Sequence, residues 1–490
     1  MFDSLDFERC YRAVESRDAR FDGWFITAVK TTGIYCRPSC PTPVRPKREN
    51  VRFYPTAAAA QLAGFRACKR CRPDASPGSP EWNVRGDLVG RAMRLIAEGI
   101  VDRDGVTGLA QRLAVSERHL HRLLLNELGA GPLAIARAQR AQTARILIET
   151  TDLPFTDVAF AAGFDSVRQF NDTVREVFAL TPTALRLAGR RRGEIVEGAL
   201  TLRLAYRPPL DWPAISSWLR TRAVPGIAEV SGQVYRRTLR LPHGAAIVSL
   251  EPVNGHIQCT LKLESMSDLT IAVRQCRRLL DLDADPVSVV EVLSRDRRLS
   301  SIVKKRPGLR APGAVDGTEL AIQAVLGQQV SLAAARTLAS RLVTAHGDLI
   351  KIADPTLTHI FPAADAIAEA DLSRLGVPAT RRATLHALTG AIARGRLALD
   401  PGADRAETYQ KLLSMPGIGE WTAGYILMRA LGDPDTFLPS DLGIQKAGAR
   451  LGLGNNARAI SEHAAAWRPW RTYATHQLWA TLAPTMKEAT

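Results

Sequence analysis

Four cysteines near the start of the chain constrain its fold more tightly than any other sequence feature. Cys36 and Cys40 form a C-x3-C pair, Cys68 and Cys71 form a C-x2-C pair, and residues 41–67 separate the two pairs. This spacing is typical of a zinc ion that is held tetrahedrally by four thiolates. We therefore predict a small zinc-bound module here, with zinc as the cofactor of the chain.

The segment that carries these cysteines is strongly basic. Residues 30–72 contain ten Lys or Arg residues and one acid, Glu49, and the whole chain has a formal net charge of +16. This balance favours a nucleic acid as the partner. Cys10, Cys259 and Cys276 are isolated, which indicates a reducing compartment. No apolar run reaches the roughly 18 residues of a spanning helix, so we expect a cytoplasmic protein that has no membrane partner.

Three breaks divide the chain of 490 residues, whose length suits about three domains. Pro and Gly interrupt regular structure at 72–80, a cationic stretch follows at 189–193, and a softer break lies near 281–286. We predict a zinc module at 1–75, a linker at 76–85, a DNA-binding domain at 86–188, a basic linker at 189–199, a mixed β subdomain at 200–283 and a helical domain at 284–490.

The periodicity of apolar residues differs between these segments. Segments 88–186 and 287–480 show helical spacing, as at Leu109, Leu113, Leu120 and Leu124. Alternating stretches at 234–239 and 246–250 are typical of strands. The first helical segment therefore differs in kind from the strand-rich one that follows it.

Two stretches of the first helical segment share a scheme of helix, short turn and helix. In residues 106–122, Ser116 is the expected N-cap of the second helix. Residues 158–170 repeat the scheme around a Gly163-Phe164 turn. Two such units in tandem indicate a DNA-binding domain, and a plain helical bundle with solvated cations is the alternative.

The second unit resembles the signature of the AraC-type regulators, and the pair covers about residues 86–186. In that family the second helix of each unit enters a major groove of DNA. The resemblance therefore places the following residues on the two reading helices: Arg118, His119, Arg122, Ser166, Arg168 and Gln169.

A longer pattern surrounds the cysteines. Residues 21–40 read FDGWFITAVKTTGIYCRPSC, residues 51–54 read VRFY, and residues 63–73 read AGFRACKRCRP. This pattern resembles the N-terminal domain of the Ada family over about residues 1–75. The alternative is a zinc module that is only structural, which is the usual role of a four-thiolate site.

The resemblance to the Ada family implies a methyl-acceptor function. Cys36 would take a methyl group irreversibly from a methylphosphotriester in DNA, and Cys40, Cys68 and Cys71 would remain zinc ligands. The chemistry is plausible because a thiolate is the nucleophilic form of cysteine. Methylation would change the formal charge of the site from about −2 to about −1, weaken its repulsion of phosphate and so strengthen DNA binding.

The C-terminal segment contains a tight turn between two helical stretches. Residues 412–425 read LLSMPGIGEWTAGY, and Gly417 and Gly419 let the backbone approach a phosphate. About twenty residues past this hairpin, residues 435–444 read DTFLPSDLGI and carry Asp441. By itself such a hairpin predicts a non-specific DNA clamp, and Asp441 alone predicts a helix N-cap.

The hairpin and the aspartate together resemble the helix-hairpin-helix DNA glycosylases of the AlkA family, over about residues 200–485. The motifs AVLGQQVS at 324–331 and WRPWR at 467–471 add to the resemblance. It implies that Asp441 is the catalytic carboxylate, which stabilises cationic character on the sugar. Gln329 stands where the family has an apolar wedge, a residue that fills the space left in the DNA stack by the flipped base. Trp421, Tyr425 and Trp479 would line an aromatic pocket for a flipped base, although core packing alone explains such residues equally well.

One residue differs from the pattern of related glycosylases, and this difference predicts whether the enzyme has lyase activity. Trp421 stands where glycosylases with lyase activity have a lysine, so we expect a monofunctional enzyme. Taken together, we predict a multidomain, mainly α chain with a small zinc-bound α/β module, a tandem helix-turn-helix domain, a mixed β subdomain and an all-α helix-hairpin-helix domain.

These resemblances predict a bifunctional adaptive-response protein. It would act on methylated DNA as a methyl-activated regulator and as a glycosylase for bases such as 3-methyladenine. We expect double-stranded DNA and RNA polymerase as partners and a monomer as the oligomeric state. Two rivals stay open: a regulator whose C-terminal half binds damaged DNA without turnover, and a glycosylase whose first 190 residues only recruit it to DNA.

Overall fold

The structure is a computed structural model, and it describes residues 5–18, 21–42, 45–71, 73, 88–189, 199–454 and 456–482. The predicted linker at 76–85 lies outside the described residues, and so do residues 190–198 of the predicted basic linker at 189–199. The chain divides into two compact units. Unit 1 comprises residues 1–206, 241–244 and 253–274, and unit 2 comprises residues 207–240, 245–252 and 275–490.

Unit 1 begins with a small α/β module. Its elements are α1 (Phe7–Glu15), β1 (Ile26–Val29), β2 (Ile34–Cys36), β3 (Val51–Tyr54), α2 (Ala57–Leu62) and β4 (Arg66–Ala67). The strands form one sheet in the order β3-β1-β2-β4. Strands β2 and β4 run parallel, with Ile34 opposite Arg66 and Tyr35 opposite Ala67. This parallel pair aligns the strand ends that lead into the two cysteine pairs.

Seven helices follow in the described part of unit 1. They are α3 (Leu88–Ala97), α4 (Ile100–Arg112), α5 (Glu117–Leu128), α6 (Pro132–Thr150), α7 (Phe155–Ala161), α8 (Val167–Phe178) and α9 (Pro182–Gly189). Helix α4 is interrupted at Gly105, whose φ of 67° is in the left-handed region. Pairs α4/α5 and α7/α8 are the two predicted helix-turn-helix units, so the tandem scheme is confirmed.

In the first helix-turn-helix unit, the apolar residues at helical spacing form the buried face, as predicted. Leu109, Leu113, Leu120 and Leu124 are all buried in one core cluster. Ala58 of α2 belongs to the same cluster, and the Thr56 hydroxyl donates to the Leu128 carbonyl (3.3 Å). The zinc module and the helical domain therefore share a core within unit 1.

A mixed segment comes next. Its elements are β5 (Leu200–Leu204), α10 (Trp212–Arg220), β6 (Ala228–Ser231), β7 (Val234–Leu241), β8 (Gly244–Val253), β9 (His256–Leu263) and α11 (Leu269–Leu279). In unit 1, β5 pairs antiparallel with β9, and in unit 2, β6 pairs antiparallel with β7. The alternating stretches at 234–239 and 246–250 fall in β7 and β8, as predicted.

Within unit 1, the start of α11 contacts the second helix-turn-helix unit. The Thr270 hydroxyl donates to the carbonyl of Ala161, the last residue of α7 (3.1 Å). Arg274 donates from Nη1 to the Ile96 carbonyl (3.2 Å) and from Nη2 to the Gln139 side chain (3.1 Å). The last carbonyls of a helix lack intrahelical partners, so the Thr270 bond satisfies the Ala161 carbonyl, which would otherwise need water.

Thr270→Val is expected to loosen the turn of the second helix-turn-helix unit. Valine keeps the shape of threonine but leaves the Ala161 carbonyl without its donor, which costs about 0.5–1.5 kcal/mol and raises amide exchange there roughly 2- to 13-fold. Hydrogen–deuterium exchange of residues 155–170 in the full chain measures this effect. Thr270→Ser retains the hydroxyl and is the control. Equal exchange in the valine and serine variants would show that the bond contributes nothing.

The remainder of unit 2 is mostly helical, as the spacing in 287–480 predicts. Its elements are α12 (Pro286–Leu293), α13 (Arg297–Lys305), α14 (Gly317–Leu326), α15 (Leu332–His346), β10 (Asp348–Leu349), β11 (His359–Ile360), α16 (Ala364–Ala368), α17 (Ala379–Ala393), α18 (Arg405–Leu413), α19 (Glu420–Arg429), α20 (Leu442–Arg450), α21 (Ala457–His463) and α22 (Arg471–Ala480). Among the described residues, none of the helices has the length and apolar character needed to cross a membrane.

Candidate functional site

The four predicted zinc ligands come together in unit 1. Their Sγ atoms all lie within 4.8 Å of one another. Cys36 ends β2 and Cys68 directly follows β4, and the Cys68 amide donates to the Tyr35 carbonyl (2.9 Å). Zn–S bonds of about 2.3 Å in a tetrahedron separate the sulfurs by about 3.8 Å. The cluster therefore fits zinc, and the predicted metal site is confirmed.

The four thiols differ in exposure and in proton affinity. Cys40, Cys68 and Cys71 are buried, whereas Cys36 is only partly buried. Hydrogen bonds with the neighbouring thiols raise the pKa of Cys36 and lower the pKa of Cys68. Thiols this close share protons, and all four become thiolates only when a cation compensates their charge. Cys36 is thus the least buried residue of the four.

A buried carboxylate supports the loop between the first two cysteines. Asp22 is 7 % exposed and accepts hydrogen bonds from the Ser39 amide (3.0 Å) and the Ser39 hydroxyl (2.5 Å). Its Oδ2 also lies 3.4 Å from Arg37 Nε. The sequence analysis missed Asp22 because it is 14 positions before Cys36 and has no ligand spacing.

The predicted DNA-reading residues of the first helix-turn-helix unit lie on one exposed surface. Ser116 caps α5, because its hydroxyl accepts from the His119 amide (3.2 Å), as predicted. Arg118, His119 and Arg122 are exposed in the first two turns of α5, and Arg122 Nη2 lies 3.4 Å from His119 Nδ1. The surface is cationic, which suits a phosphate backbone.

In the second unit the arrangement is similar. Arg168 and Gln169 are exposed in the first turn of α8, and the Arg168 side chain is 93 % exposed. Ser166 lies before the helix and is its N-cap, with its hydroxyl accepting from the Gln169 amide (3.2 Å). This places Ser166 at the end of the reading helix, whereas the sequence analysis placed it within that helix.

In unit 2 the glycine hairpin connects α18 to α19. Gly417 has a φ of 82°, and a Cβ atom there would collide with the Thr384 hydroxyl. Thr384 itself donates to the Pro416 carbonyl (3.0 Å). Gly419 is the exposed N-cap of α19 and would meet nothing within 4 Å. Exposed amides at the start of a helix attract an anion, so this turn is suited to a phosphate.

A second loop, between α14 and α15, is attached to the hairpin. Gln328 Nε2 donates to the Gly417 carbonyl (2.8 Å) and to the Thr422 hydroxyl (3.1 Å). The Gln328 carbonyl accepts from Arg381 Nη2 (2.6 Å). Gln329 follows in the left-handed region, with a φ of 55°, and its side chain is exposed. The attachment by Gln328 therefore holds Gln329 beside the hairpin, at the surface.

Three donors bind the carboxylate of Asp441. Trp421 Nε1 donates to Oδ2 (2.9 Å), and Trp479 Nε1 donates to Oδ1 (2.9 Å). The Ile444 amide also donates to Oδ1 (2.9 Å), so Asp441 is the N-cap of α20. Asp441 can therefore be both a helix cap and a functional carboxylate. The cap requires only the bond from the Ile444 amide, whereas the two indoles hold the carboxylate in one orientation.

Aromatic rings surround this carboxylate. Trp421 stacks on Tyr425 with centroids 5.2 Å apart and an angle of 6° between the planes. Trp479 stacks on Trp218 at 5.5 Å. A cavity in unit 2 is lined by Trp421 and Tyr425, together with residues that include Arg222 and Arg429. Trp479 is not among the lining residues, and its contact with Asp441 is made through its indole nitrogen.

Comparison with known proteins identifies three family models along the chain. The "Metal binding domain of Ada" matches residues 9–74, a "Helix-turn-helix domain" matches 109–188, and the "AlkA N-terminal domain" matches 201–316. The "Probable bifunctional transcriptional activator/DNA repair enzyme AlkA" of Mycobacterium tuberculosis is 57% identical over 97% of both chains. The chain belongs to this bifunctional AlkA family.

Other similarities concern the C-terminal part. "DNA-3-methyladenine glycosylase 2" of Escherichia coli K12 is 33% identical over 57% of this chain and 96% of its own length. The solved structure of a 3-methyladenine DNA glycosylase from Archaeoglobus fulgidus covers 56% of this chain with a TM-score of 0.51 and 22% identity. At that identity the structure shows the fold alone. The predicted multidomain fold class is confirmed by these similarities together with the zinc cluster.

The structure adds residues to this AlkA-type site that the sequence analysis did not name. Arg429 lies four positions after Tyr425, which lies four positions after Trp421, so a stripe of i, i+4, i+8 on α19 was a signal for it. Trp218 and Arg222 have the same spacing at the end of α10. His476 lies near Trp218, with ring centroids 4.8 Å apart and tilted planes, and burial lowers its pKa well below the ordinary value, which keeps the ring neutral.

Proposed function

We propose that the chain is a DNA glycosylase fused to a methyl-accepting transcriptional regulator. The single observation that supports the glycosylase best is the carboxylate of Asp441, oriented by the indoles of Trp421 and Trp479. Trp421 also lines the cavity in unit 2, so the residue that donates to the carboxylate also borders a space that can hold a base. The names of the relatives agree with this activity.

The proposed reaction is hydrolysis of the N-glycosidic bond of an alkylated base such as 3-methyladenine. The bond between C1′ and the base nitrogen breaks with its electron pair going to the base, and a water oxygen bonds to C1′ and loses one proton to the surrounding water. Cationic character builds on the sugar during this step, and the Asp441 carboxylate stabilises it and orients the water. The chain has Trp421 where a lyase would need an amine nucleophile, so the enzyme is monofunctional.

Residues of unit 2 that are suited to contact DNA support the same reaction. The base has to leave the helical stack to reach the cavity, and Trp421 and Tyr425 offer flat faces that attract a cationic purine. Gln329 is held beside the hairpin and fills the space that the flipped base leaves. Gly417 and Gly419 place backbone amides against a phosphate of the same strand.

The proposed function of the zinc module is a single methyl transfer. Cys36 Sγ attacks the methyl carbon of a methylphosphotriester, an S–C bond forms, and the O–C bond breaks to leave a phosphodiester anion. Bound zinc supplies the charge that keeps the sulfur deprotonated at neutral pH. The partial exposure of Cys36, in contrast to the buried Cys40, Cys68 and Cys71, supports Cys36 as the acceptor.

The regulator part binds promoter DNA through two grooves. Exposed cations in the first turns of α5 and α8 contact bases and phosphates, and methylation of Cys36 strengthens binding because the zinc site loses one negative charge. We further propose RNA polymerase as a partner, the cytoplasm as the location and a monomer as the active form, since two linked helix-turn-helix units span two groove segments without a dimer.

Release of free bases from alkylated duplex DNA tests the glycosylase. Chromatography of the supernatant is expected to show 3-methyladenine accumulating over many turnovers per protein molecule. Tight binding to the same duplex with no free base released would instead support a regulator that retains only the glycosylase fold. A parallel assay on undamaged duplex controls for spontaneous depurination.

Trp479→Phe is expected to lower the rate of base release about tenfold or more. Phenylalanine keeps a ring on Trp218 but removes the N–H bond that orients Asp441, and a hydrogen bond to a charged group contributes about 1.5–3 kcal/mol. Single-turnover rates measure this, and the loss is expected in the chemical step and not in DNA affinity. Trp467→Phe is the matched control, because it removes an indole N–H from Asp296, another helix cap (2.7 Å). Equal losses in both variants would contradict a positioning role for Trp479.

A further inference from the structure

The cavity beside Trp421 has a polar end formed by two arginines and a tyrosine. Arg222, Tyr425 and Arg429 all line it. The Arg222 guanidinium lies over the Trp218 ring, with Cζ 3.3 Å from the ring centroid. Arg222 Nη1 donates to the Thr221 hydroxyl (2.9 Å) and to the Trp218 carbonyl (3.3 Å), which fixes the plane of the guanidinium.

Arg429 is fixed from the opposite side. It is 5 % exposed, its Nη2 donates to the Gly313 carbonyl (2.9 Å), and its Nε donates to the Pro312 carbonyl. Its remaining nitrogen, Nη1, donates to the Tyr425 hydroxyl oxygen (2.7 Å). These bonds use three of the five N–H donors of Arg429, and one of them is directed to Tyr425.

The bond from Arg429 decides what Tyr425 can offer a ligand. A guanidinium only donates, so the phenolic oxygen accepts here and its own proton remains to be donated elsewhere. Burial disfavours ionisation of Tyr425, but the guanidiniums of Arg429 and Arg222 outweigh it and lower the pKa of the hydroxyl. A polarised O–H is a stronger donor. Both Arg222 and Tyr425 therefore present donors to the cavity.

We propose that Arg222 and Tyr425 bind the exocyclic oxygen of a flipped base and so extend the range of released bases from 3-methyladenine to bases such as 7-methylguanine. This inference rests on the glycosylase function proposed above and deepens it. A carbonyl oxygen accepts from the Arg222 guanidinium and the Tyr425 hydroxyl, whereas the exocyclic amine of 3-methyladenine forms neither bond, so that base relies on the aromatic faces.

Two alkylated purines from a single substrate provide the test. Methylated duplex DNA contains 7-methylguanine, which has an exocyclic oxygen, and 3-methyladenine, which has an amine instead. Both are cationic in DNA, so repulsion from the arginines is similar for the two. The ratio of their release rates, measured in one reaction by chromatography, does not depend on the fraction of active protein.

Arg222→Gln is expected to lower the ratio of 7-methylguanine to 3-methyladenine release roughly tenfold or more, because a charge-assisted bond to the oxygen is lost. Tyr425→Phe is expected to change the ratio in the same direction and tests the proposal independently if the Arg222 variant does not fold. Arg220→Gln, an exposed arginine two positions away, is the matched control and is expected to leave the ratio unchanged.

The outcomes separate the two proposals. Equal losses of both bases in the Arg222 and Tyr425 variants, or a larger loss of 3-methyladenine, would overturn the specificity role and leave the glycosylase standing. Release of neither base by the unaltered protein would overturn the glycosylase itself, and the specificity inference with it. A selective loss of 7-methylguanine in either variant supports both.

Discussion

Asp441→Asn is expected to reduce base release from alkylated DNA by roughly a hundredfold or more, because a neutral amide does not stabilise the cationic sugar of the transition state. The fold should survive, since Asn is as good an N-cap as Asp and can still accept from the Ile444 amide. The measurement is the single-turnover rate of 3-methyladenine release, resolved by chromatography, together with the affinity for the same duplex.

Asp404→Asn is the matched control for this substitution. Asp404 caps α18 by accepting from the Glu407 amide (3.0 Å), so the change removes the same charge from the same kind of position. We expect little change in its rate of base release. An Asp441 variant that retains the rate of the unaltered protein would exclude the carboxylate as the catalytic group and would favour the regulator that binds damaged DNA without turnover.

Exposure to DNA that carries methylphosphotriesters is expected to add the mass of one methyl group to the full-length protein, and Cys36→Ser is expected to abolish the gain. A serine hydroxyl has a far higher pKa than a thiol and is not a nucleophile at neutral pH without an activating base. Intact-mass spectrometry measures the gain, and peptide mapping locates it. Zinc content is determined in parallel, because the substitution also removes one of the four ligands.

Cys10→Ser provides the control. Cys10 is 4 % exposed in a separate core cluster, and burial together with the Asp6 carboxylate raises its pKa to about 11. Its thiol is therefore protonated at neutral pH, and its loss should leave the mass gain intact. A zinc-loaded protein whose mass does not change on exposure would refute the methyl acceptor and leave the first 190 residues with a recruiting role alone.

Much of the architecture was predictable because its signals are local. The two cysteine pairs define a ligand set by spacing alone, and the structure brings their sulfurs within 4.8 Å of one another. Ser116 was predicted as a cap because a hydroxyl just before an apolar helix accepts a hydrogen bond from a backbone amide in the first turn that has no other partner. The Pro-Gly-Ile-Gly turn was also predictable from the sequence, because glycine readily adopts a positive φ such as the 82° observed at Gly417.

What could not be predicted depends on contacts between distant residues. The indoles that orient Asp441 come from positions 20 residues before it and 38 residues after it. Arg222 and Tyr425 are about two hundred positions apart in the sequence, so Tyr425 was predicted to line the pocket but its neighbour Arg222 was not. No periodicity links such pairs, because periodicity reports which face of one element is buried and not which other element covers it.

The sequence by itself determined the kinds of chemistry in this protein: four thiolates for a metal, a carboxylate near a phosphate-binding hairpin, and tandem helices with cationic first turns. Those features follow from residue types at short spacing, where the backbone fixes the geometry. Only the tertiary structure decided that Cys36 is the least buried of the four ligand residues, that Asp441 has two indole donors and that the cavity ends in donors. Burial and long-range hydrogen bonds arise from packing, which brings together residues that the chain keeps apart.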